Sequence, residues 1–154
     1  MSISVGDKAP AFDLPTDGDG RLKLSDLKGK KVVLFFYPKA STPGCTTESV
    51  DFAGLNAEFE KAGAVVVGAS KDSVKRQDNF KDKNALTFPL LSDESGTLCE
   101  DYGVWVLKKN YGREYLGIER TTFLIDETGK IAQIWPKVRV KGHAQAVLDA
   151  VKGM

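Results

Sequence analysis

Residues 32–45 read Val-Val-Leu-Phe-Phe-Tyr-Pro-Lys-Ala-Ser-Thr-Pro-Gly-Cys. The first six are apolar without alternation, which is typical of a strand buried on both faces of a sheet. Pro38 ends this strand, and the periodicity of residues 43–61 predicts a helix that begins at Pro43. The segment therefore predicts a buried strand, a short loop and a helix with Cys45 in its first turn.

A cysteine at this place is expected to react as its anion. Backbone N–H groups at a helix start have no partner within the helix, and the helix dipole is positive there, so both stabilise a thiolate on Cys45. Thr42 is expected to cap the helix or to direct its hydroxyl beside the sulfur. The alternative is a loop cysteine that happens to precede a helix.

Length and charge limit the classes of function. The chain has 154 residues, 42% of them hydrophobic, which predicts one domain over residues 1–154. It has 22 basic against 21 acidic residues and a formal net charge of +1, so we expect no binding to nucleic acid or to an anionic membrane. No apolar run approaches the ~20 residues of a spanning helix, and residues 1–7 lack the features of a signal peptide, which together predict a cytoplasmic protein.

The cysteine and histidine content argues against a disulfide framework and against a metal site. The two cysteines, Cys45 and Cys99, are far apart, there is no Cys-x-x-Cys motif, and His143 is the single histidine. We expect His143 to begin the last helix.

Strand and helix patterns alternate along the chain. Strands are predicted over residues 32–37, 64–69, 87–91, 121–125 and 131–135, and helices over 43–61, 73–83, 95–102 and 143–152. The buried face of the helix over 43–61 is expected to carry Val50, Phe52, Leu55 and Phe59. Residues 10–14 and 21–24 predict an N-terminal β-hairpin, and residues 104–117 a long loop in which Trp105 and Tyr111 pack on the core or wall a pocket. The order predicts an α/β, thioredoxin-like fold with a mixed central sheet and helices on both faces.

Pro38, Thr42 and Cys45 stand in the spacing Pro-x-x-x-Thr-x-x-Cys that marks the peroxiredoxins. The chain most resembles the subgroup called bacterioferritin comigratory protein or peroxiredoxin Q. The resemblance spans nearly the whole chain, in residues 6–12, 37–39, 42–48, 90–93, 102–105 and 120–126.

The resemblance implies an antioxidant enzyme that reduces hydrogen peroxide and organic hydroperoxides without a cofactor. Cys45 would attack the peroxide and become a sulfenic acid. Arg120 would stabilise the leaving oxygen, Thr42 and the N–H groups of Gly44 and Cys45 would orient the peroxide, and Pro38 would shield the sulfur. The alternative for Arg120 is a surface ion pair with a residue such as Glu119.

Glu48 has two open interpretations, because it lies three residues after Cys45 on the predicted helix. It holds Arg120 in place, or it is an ordinary first-turn acid that complements the helix dipole.

The chain departs from the subgroup at the step that regenerates the thiol. Many members carry a second, resolving cysteine five residues after the first, where this chain has Val50, and others carry it in the next helix, where this chain has residues 81–84. An engineered replacement of a native cysteine at position 50 is an alternative origin of Val50. Cys99 is more typical of a small buried hydrophobe than of a resolving thiol. We therefore expect an external thiol such as thioredoxin to reduce Cys45, in a monomer or weak dimer.

A different class of function uses the same sulfur. A non-enzymatic redox sensor would relay oxidation of Cys45 to a partner protein, and turnover with a thiol donor distinguishes the two. A thioredoxin-type disulfide exchanger is excluded, because a Cys-x-x-Cys motif that begins at Cys45 needs its second cysteine at position 48, which is Glu48. A glutathione-peroxidase-like enzyme would share fold and reaction, but the spacing of Pro38, Thr42 and Cys45 favours a peroxiredoxin.

Overall fold

A computed structural model describes residues 3–154 of the chain, and Met1 and Ser2 of the predicted domain lie outside the described residues. The strands are β1 (Asp13–Pro15), β2 (Arg21–Lys23), β3 (Lys31–Phe36), β4 (Ala64–Ser70), β5 (Leu90–Ser92), β6 (Trp105–Asn110), β7 (Arg113–Ile118), β8 (Thr121–Ile125) and β9 (Ile131–Trp135). The helices are α1 (Pro43–Gly54), α2 (Asn56–Lys61), α3 (Val74–Asn84), α4 (Leu98–Asp101) and α5 (His143–Lys152). Two short 3-10 turns, Asp17–Asp19 and Leu24–Leu27, flank β2.

The central sheet has five strands in the order β5-β4-β3-β8-β9. Strand β3 pairs in parallel with β4 and antiparallel with β8, so the sheet is mixed. Strands β1 and β2 form the predicted N-terminal hairpin as a separate antiparallel pair. The predicted thioredoxin-like α/β fold is confirmed.

Alternate residues of β3 belong to two separate hydrophobic clusters, one on each face of the sheet. Val33 and Phe35 point into the cluster that also holds Cys45, which we call the Cys45 face. Leu34 and Phe36 point into the cluster that holds Cys99, which we call the Cys99 face. Helices α1, α2, α3 and α5 cover the Cys45 face, whereas α4 and the N-terminal segment cover the Cys99 face. The two thiols are therefore separated by the sheet.

The single helix predicted over residues 43–61 is wrong, because the helix breaks at Leu55 into α1 and α2. Gly54 is a poor helix former. Just after the break, the side chain of Asn56 is fixed by a distant residue, since its Nδ2 donates to Thr87 Oγ1 at 2.9 Å. Val50 is also exposed, at 44%, and not buried as the periodicity indicated. Phe52 and Phe59 are fully buried, as predicted.

The long loop predicted over residues 104–117 is wrong as well. Strands β6 and β7 form a hairpin that pairs only with itself within residues 3–154. Its two-residue turn consists of Tyr111 and Gly112, which both have positive φ, of 52° and 77°. Turns of that kind match the twist of a hairpin but usually have Asn or Asp at the first position, which is why the sequence pattern did not indicate one.

Several smaller elements differ from the prediction only at their ends. Strand β5 starts at Leu90 instead of residue 87, and α4 covers only Leu98–Asp101 of the predicted residues 95–102. Helix α5 begins at His143, as expected. Within residues 3–154, no helix is both long enough and apolar enough to cross a membrane.

Candidate active site

Strand pairing brings two distant parts of the chain to one edge of the central sheet. Phe36, the last residue of β3, pairs with Thr121, the first residue of β8. Arg120 directly precedes Thr121, and the loop that leads from β3 to α1 ends at Thr42, three residues before Cys45. Arg120 Nη2 consequently lies 3.3 Å from Cys45 Sγ, although the two residues are 75 positions apart.

Cys45 occupies the third position of α1 and is fully buried. The first helical hydrogen bond of α1 runs from the N–H of Thr46 to Thr42 O at 2.9 Å. The N–H groups of Gly44 and Cys45 have no acceptor among residues 3–154. Two unused donors and the positive end of the helix dipole therefore lie beside the sulfur, as the sequence predicted.

Glu48 lies one turn further along α1 and binds the same guanidinium. Its Oε1 accepts from Arg120 Nη1 at 2.7 Å, and the carboxylate is 1% exposed. Burial raises the pKa of Glu48 to about 7, although Arg120 lowers it. Its second oxygen, Oε2, has no hydrogen-bond partner within the described residues. Of the two interpretations of Glu48, the geometry favours the one in which it holds Arg120.

Arg120 keeps its charge in this partly buried setting. Burial disfavours the guanidinium, but Glu48 and, to a smaller extent, Cys45 hold the pKa of Arg120 above its usual value. The surface ion pair with Glu119 that the sequence left open does not form, since the pair is made with Glu48 instead.

A glycine leaves room for this guanidinium. A Cβ on Gly44 would lie 3.2 Å from Arg120 Nη2, closer than ordinary van der Waals contact. Gly44 is helical and needs no special backbone conformation, so the space it leaves for Arg120 is the structural reason for glycine here.

Thr42 is the N-cap residue of α1, but its side chain does not cap the helix. Its hydroxyl donates to Lys39 O at 2.8 Å instead, so the predicted capping bond is absent. Because the proton of the hydroxyl is engaged, Thr42 Oγ1 is left as an acceptor for a hydrogen bond from a ligand.

Pro38 is exposed and lines an open cavity of about 380 Å³. Apolar and aromatic side chains of the β6–β7 hairpin form much of its wall, including Trp105, Leu116 and Ile118. Lys108 also lines the cavity, and burial together with the charge of Arg120 lowers the pKa of its ammonium. The cavity therefore lies within electrostatic range of Arg120.

Asp72, which the sequence analysis missed, fixes the loop before α1. It is buried, and its Oδ2 accepts from the N–H of Ala40 and from Ser70 Oγ, both at 2.7 Å. Gln77 adds to the same network, since its Nε2 donates to Ser70 Oγ at 2.9 Å and its Oε1 accepts from Tyr37 Oη at 2.6 Å. The available signal was the position of Asp72, two residues after the end of a buried strand.

The nearest charged group to Cys99 is negative, whereas the one beside Cys45 is positive. It is fully buried on the Cys99 face, and its N–H donates to Asp93 Oδ2 at 2.9 Å. Burial and the negative charge of Asp93 both raise the pKa of the Cys99 thiol, so it stays protonated and unreactive.

The remaining candidates have structural roles. His143 Nε2 lies 2.7 Å from Thr122 Oγ1, and burial, followed by the charge of Arg120, lowers the pKa of His143 to about 4. Trp105 is half-buried beneath the ammonium of Lys71, 4.9 Å from the ring centre, and it both packs on the core and lines the cavity. Tyr111 does neither, because it is 97% exposed at the hairpin tip.

Comparison with known proteins shows the family to which the chain belongs. The family model described as AhpC/TSA family matches residues 5–134. A bcp peroxiredoxin of Coxiella burnetii is 58% identical over 96% of this chain and 98% of its own length. Peroxiredoxin Bcp of Bacillus subtilis is 49% identical over 100% of this chain and 98% of its own.

A solved structure of Xanthomonas campestris peroxiredoxin Q superposes with a TM-score of 0.88 and 48% identity, and the match covers 92% of this chain and 90% of that one. The chain belongs to the AhpC/TSA family and is a peroxiredoxin, an enzyme that reduces peroxides with a cysteine thiol.

Proposed function

We propose that Cys45 is the thiol that attacks the peroxide, with Arg120, Thr42, Gly44 and Glu48 as its supporting groups. The observation that carries this assignment is the 3.3 Å contact between Arg120 Nη2 and Cys45 Sγ at the start of α1. A charge pair at about 4 Å contributes roughly 4 kcal/mol at an effective dielectric constant of about 20. A helix terminus contributes only about 0.3–1 kcal/mol, so Arg120 is the larger influence on the thiolate.

The reaction is a displacement at oxygen. The Cys45 thiolate attacks one oxygen of ROOH, the O–O bond breaks, and the electron pair leaves on RO⁻, which takes a proton to give ROH. Cys45 becomes a sulfenic acid, Cys45–SOH. Arg120 stabilises the negative charge that develops on the leaving oxygen, while the free N–H groups of Gly44 and Cys45 and the acceptor Thr42 Oγ1 orient the peroxide.

The proposed substrates are hydrogen peroxide and alkyl hydroperoxides. A solved structure of the Xanthomonas campestris bacterioferritin comigratory protein, also 48% identical, is described in terms of alkyl peroxide reduction activity. The cavity beside Pro38 offers this chain a place for an alkyl group, because Trp105, Leu116 and Ile118 line it. We also propose that Pro38 limits access of water to the sulfur.

We propose that an external thiol reduces the sulfenic acid. Cys45 and Cys99 lie on opposite faces of the sheet, and a disulfide requires Cα atoms within about 7 Å. Position 50 is Val50, which offers no thiol. The proposed donor is thioredoxin or a similar thiol, acting on a single domain of residues 1–154. Both cysteines are free, which suits the reducing cytoplasm.

Mass spectrometry tests the whole scheme. The reduced protein is treated with one equivalent of hydrogen peroxide, with and without dimedone to trap sulfenic acid. We expect a gain of one oxygen, or one dimedone adduct, located at Cys45 by peptide mapping. Quantitative loss of two hydrogens with a cross-linked peptide of Cys45 and Cys99 would contradict the recycling step, and an unmodified Cys45 would contradict the assignment of the site.

A further inference from the structure

The β6–β7 hairpin carries most of the large hydrophobic side chains that are exposed within residues 3–154. Of the seven large hydrophobic side chains with 44% to 97% exposure within residues 3–154, four lie on this hairpin. They are Leu107, Tyr111, Tyr115 and Leu116, with exposures of 58%, 97%, 48% and 57%. Clusters of exposed apolar side chains mark interaction surfaces more often than scattered ones do.

The hairpin also lacks structural support over its outer half. Its base is held by the buried Ile118 and by the hydrogen bond from the N–H of Glu119 to Val104 O at 2.8 Å. Beyond the base, β6 and β7 pair with no other strand of the described chain. An isolated two-stranded sheet is only marginally stable in water. The outer half therefore presents both open strand edges and unburied side chains to a partner.

Unpaired positive charges surround this apolar surface. Lys39, Lys108 and Arg113 form no ion pair with any carboxylate of residues 3–154, and the one acid of the hairpin, Glu114, already pairs with Lys109 at 3.6 Å. A second copy of the chain would bring the same cations against these. An acidic partner is complementary to them, and charge complementarity raises the association rate.

The hairpin lies next to the proposed reaction site in the sequence. Strand β7 ends at Ile118, two residues before Arg120, which contacts Cys45. Leu116 is four residues from Arg120, which is about 13 Å along an extended strand. A protein interface of standard size covers about 800 Å² on each partner, so a partner centred on the hairpin also reaches the edge of the sheet where Cys45 lies.

We propose that the outer half of the β6–β7 hairpin is the docking surface of the protein dithiol that reduces oxidised Cys45, and that this partner has an apolar patch edged by acidic side chains. The proposal rests on the proposed function. The reaction is Cys45–SOH + R(SH)₂ → Cys45–SH + RS₂ + H₂O: one partner thiol displaces water to form a mixed disulfide, and the second displaces the Cys45 thiolate, so Cys45 is reduced and the partner oxidised.

Variants at two surface residues test the docking surface. Leu107→Ser and Tyr111→Asn, alone and combined, are chosen because neither residue lines the cavity beside Pro38. Val5→Ser, at another exposed apolar side chain, is the matched control. Each protein is oxidised with one equivalent of hydrogen peroxide, and loss of the Cys45 sulfenic acid is followed by quenched-flow mass spectrometry. The reductants are a reduced thioredoxin of net negative charge and dithiothreitol.

We expect the combined variant to react with thioredoxin at least about tenfold more slowly, as for loss of interface anchors, and with dithiothreitol at the wild-type rate. Val5→Ser should match the wild type with both. Arg113→Gln should slow the thioredoxin reaction a few-fold at low salt only, whereas the control Lys30→Gln should not.

Three kinetic results would overturn the docking surface and leave the proposed function intact. The combined variant could react with thioredoxin at the wild-type rate, or its reaction with dithiothreitol could slow by the same factor. The wild-type protein could also react with thioredoxin no faster than with dithiothreitol. A dimer in sedimentation velocity that the combined variant abolishes would assign the hairpin to a second copy and overturn it as well. Failure of hydrogen peroxide to oxidise Cys45 would overturn the proposed function itself, and the docking proposal with it.

Discussion

Cys45 and Cys99 are both fully buried, and they lie on opposite faces of one sheet within clusters of similar apolar composition. Their charged neighbours differ in sign. Arg120 contacts the Cys45 sulfur, whereas Asp93 accepts from the backbone of Cys99 and raises the pKa of its thiol. The comparison teaches that two equally buried thiols of one molecule differ in the sign of the nearest charge, which is the physical reason to propose Cys45, and not Cys99, as the reactive thiol.

Serine substitution at each cysteine gives the largest expected difference. Cys45→Ser should abolish peroxide consumption with a thiol donor, because the other free cysteine, Cys99, has its thiol pKa raised by burial and by Asp93. Cys99→Ser should keep most of it. The measurement is peroxide consumption at fixed thiol concentration, with circular dichroism to verify folding. Activity that survives Cys45→Ser and disappears in Cys99→Ser would reverse the comparison.

Removing the positive charge beside Cys45 should make its environment resemble that of Cys99. Arg120→Met should slow oxidation of Cys45 by about 10²–10³, the usual effect of losing one electrostatic donor. Stopped-flow measurement with hydrogen peroxide gives the rate constant. The control is Arg139→Met, at an exposed arginine that forms no ion pair with residues 3–154. Equal rates in the two variants would show that Arg120 is not needed.

The buried Glu48 predicts a pH-dependent stability. Burial raises its pKa from 4.5 to about 7, so the folded protein binds more protons than the unfolded chain between these values. The free energy of unfolding contributed by Glu48 therefore falls as pH rises from about 4.5 to 7. In Glu48→Gln this loss is absent, so the free energy of unfolding of the variant should rise relative to that of the wild type by about 2.5 kcal/mol over that range.

Urea denaturation at pH 5 and pH 8 measures this difference. The buried His143, whose pKa is lowered to about 4, has the opposite effect, since stability from a neutral histidine rises with pH between about 4 and 6.5. This contribution is common to both proteins and cancels in the comparison. A constant difference between variant and wild type at all pH values would argue against a protonated Glu48 near neutrality.

The smallest effect is expected from the space that Gly44 leaves for Arg120. Gly44→Ala should stabilise α1 by up to about 1 kcal/mol through helix propensity, yet slow Cys45 oxidation about tenfold, because the new Cβ displaces the guanidinium. The control is Gly54→Ala in the same helix, where no atom lies within 4 Å of the new Cβ. This variant should be more stable than the wild type, and its Cys45 should be oxidised at the wild-type rate. Equal rates in both variants would show that the close approach is unimportant.

The elements that sequence analysis predicted best are those determined by local pattern. The apolar run at residues 32–37 became β3, and the amphipathic pattern at the end of the chain became α5 with its start at His143. The position of Cys45 in the first turn of a helix follows from Pro43 and its neighbours alone. These features depend on contacts within a few residues, which a sequence displays directly.

The features that were missed depend on residues far apart in the chain. The break at Leu55 reflects the bond between Asn56 and Thr87, and the support of the site loop reflects the bond between Asp72 and Ala40. The β6–β7 hairpin is exposed on both faces over its outer half, so it lacks the alternation that normally indicates strands. Arg120 was placed beside Cys45 through the family motif, and the register of β3 and β8 supplies the physical reason.

The separation of 75 positions between Cys45 and Arg120 has a consequence during synthesis of the protein. At about 5–20 residues per second, a ribosome adds Arg120 roughly 4 to 15 s after Cys45. Until β8 pairs with β3, the nascent chain carries a cysteine without its guanidinium partner. With the proposed role of Arg120, the enzyme acquires its sensitivity to peroxide only once the sheet has assembled, and an incomplete chain carries Cys45 without the group that activates it.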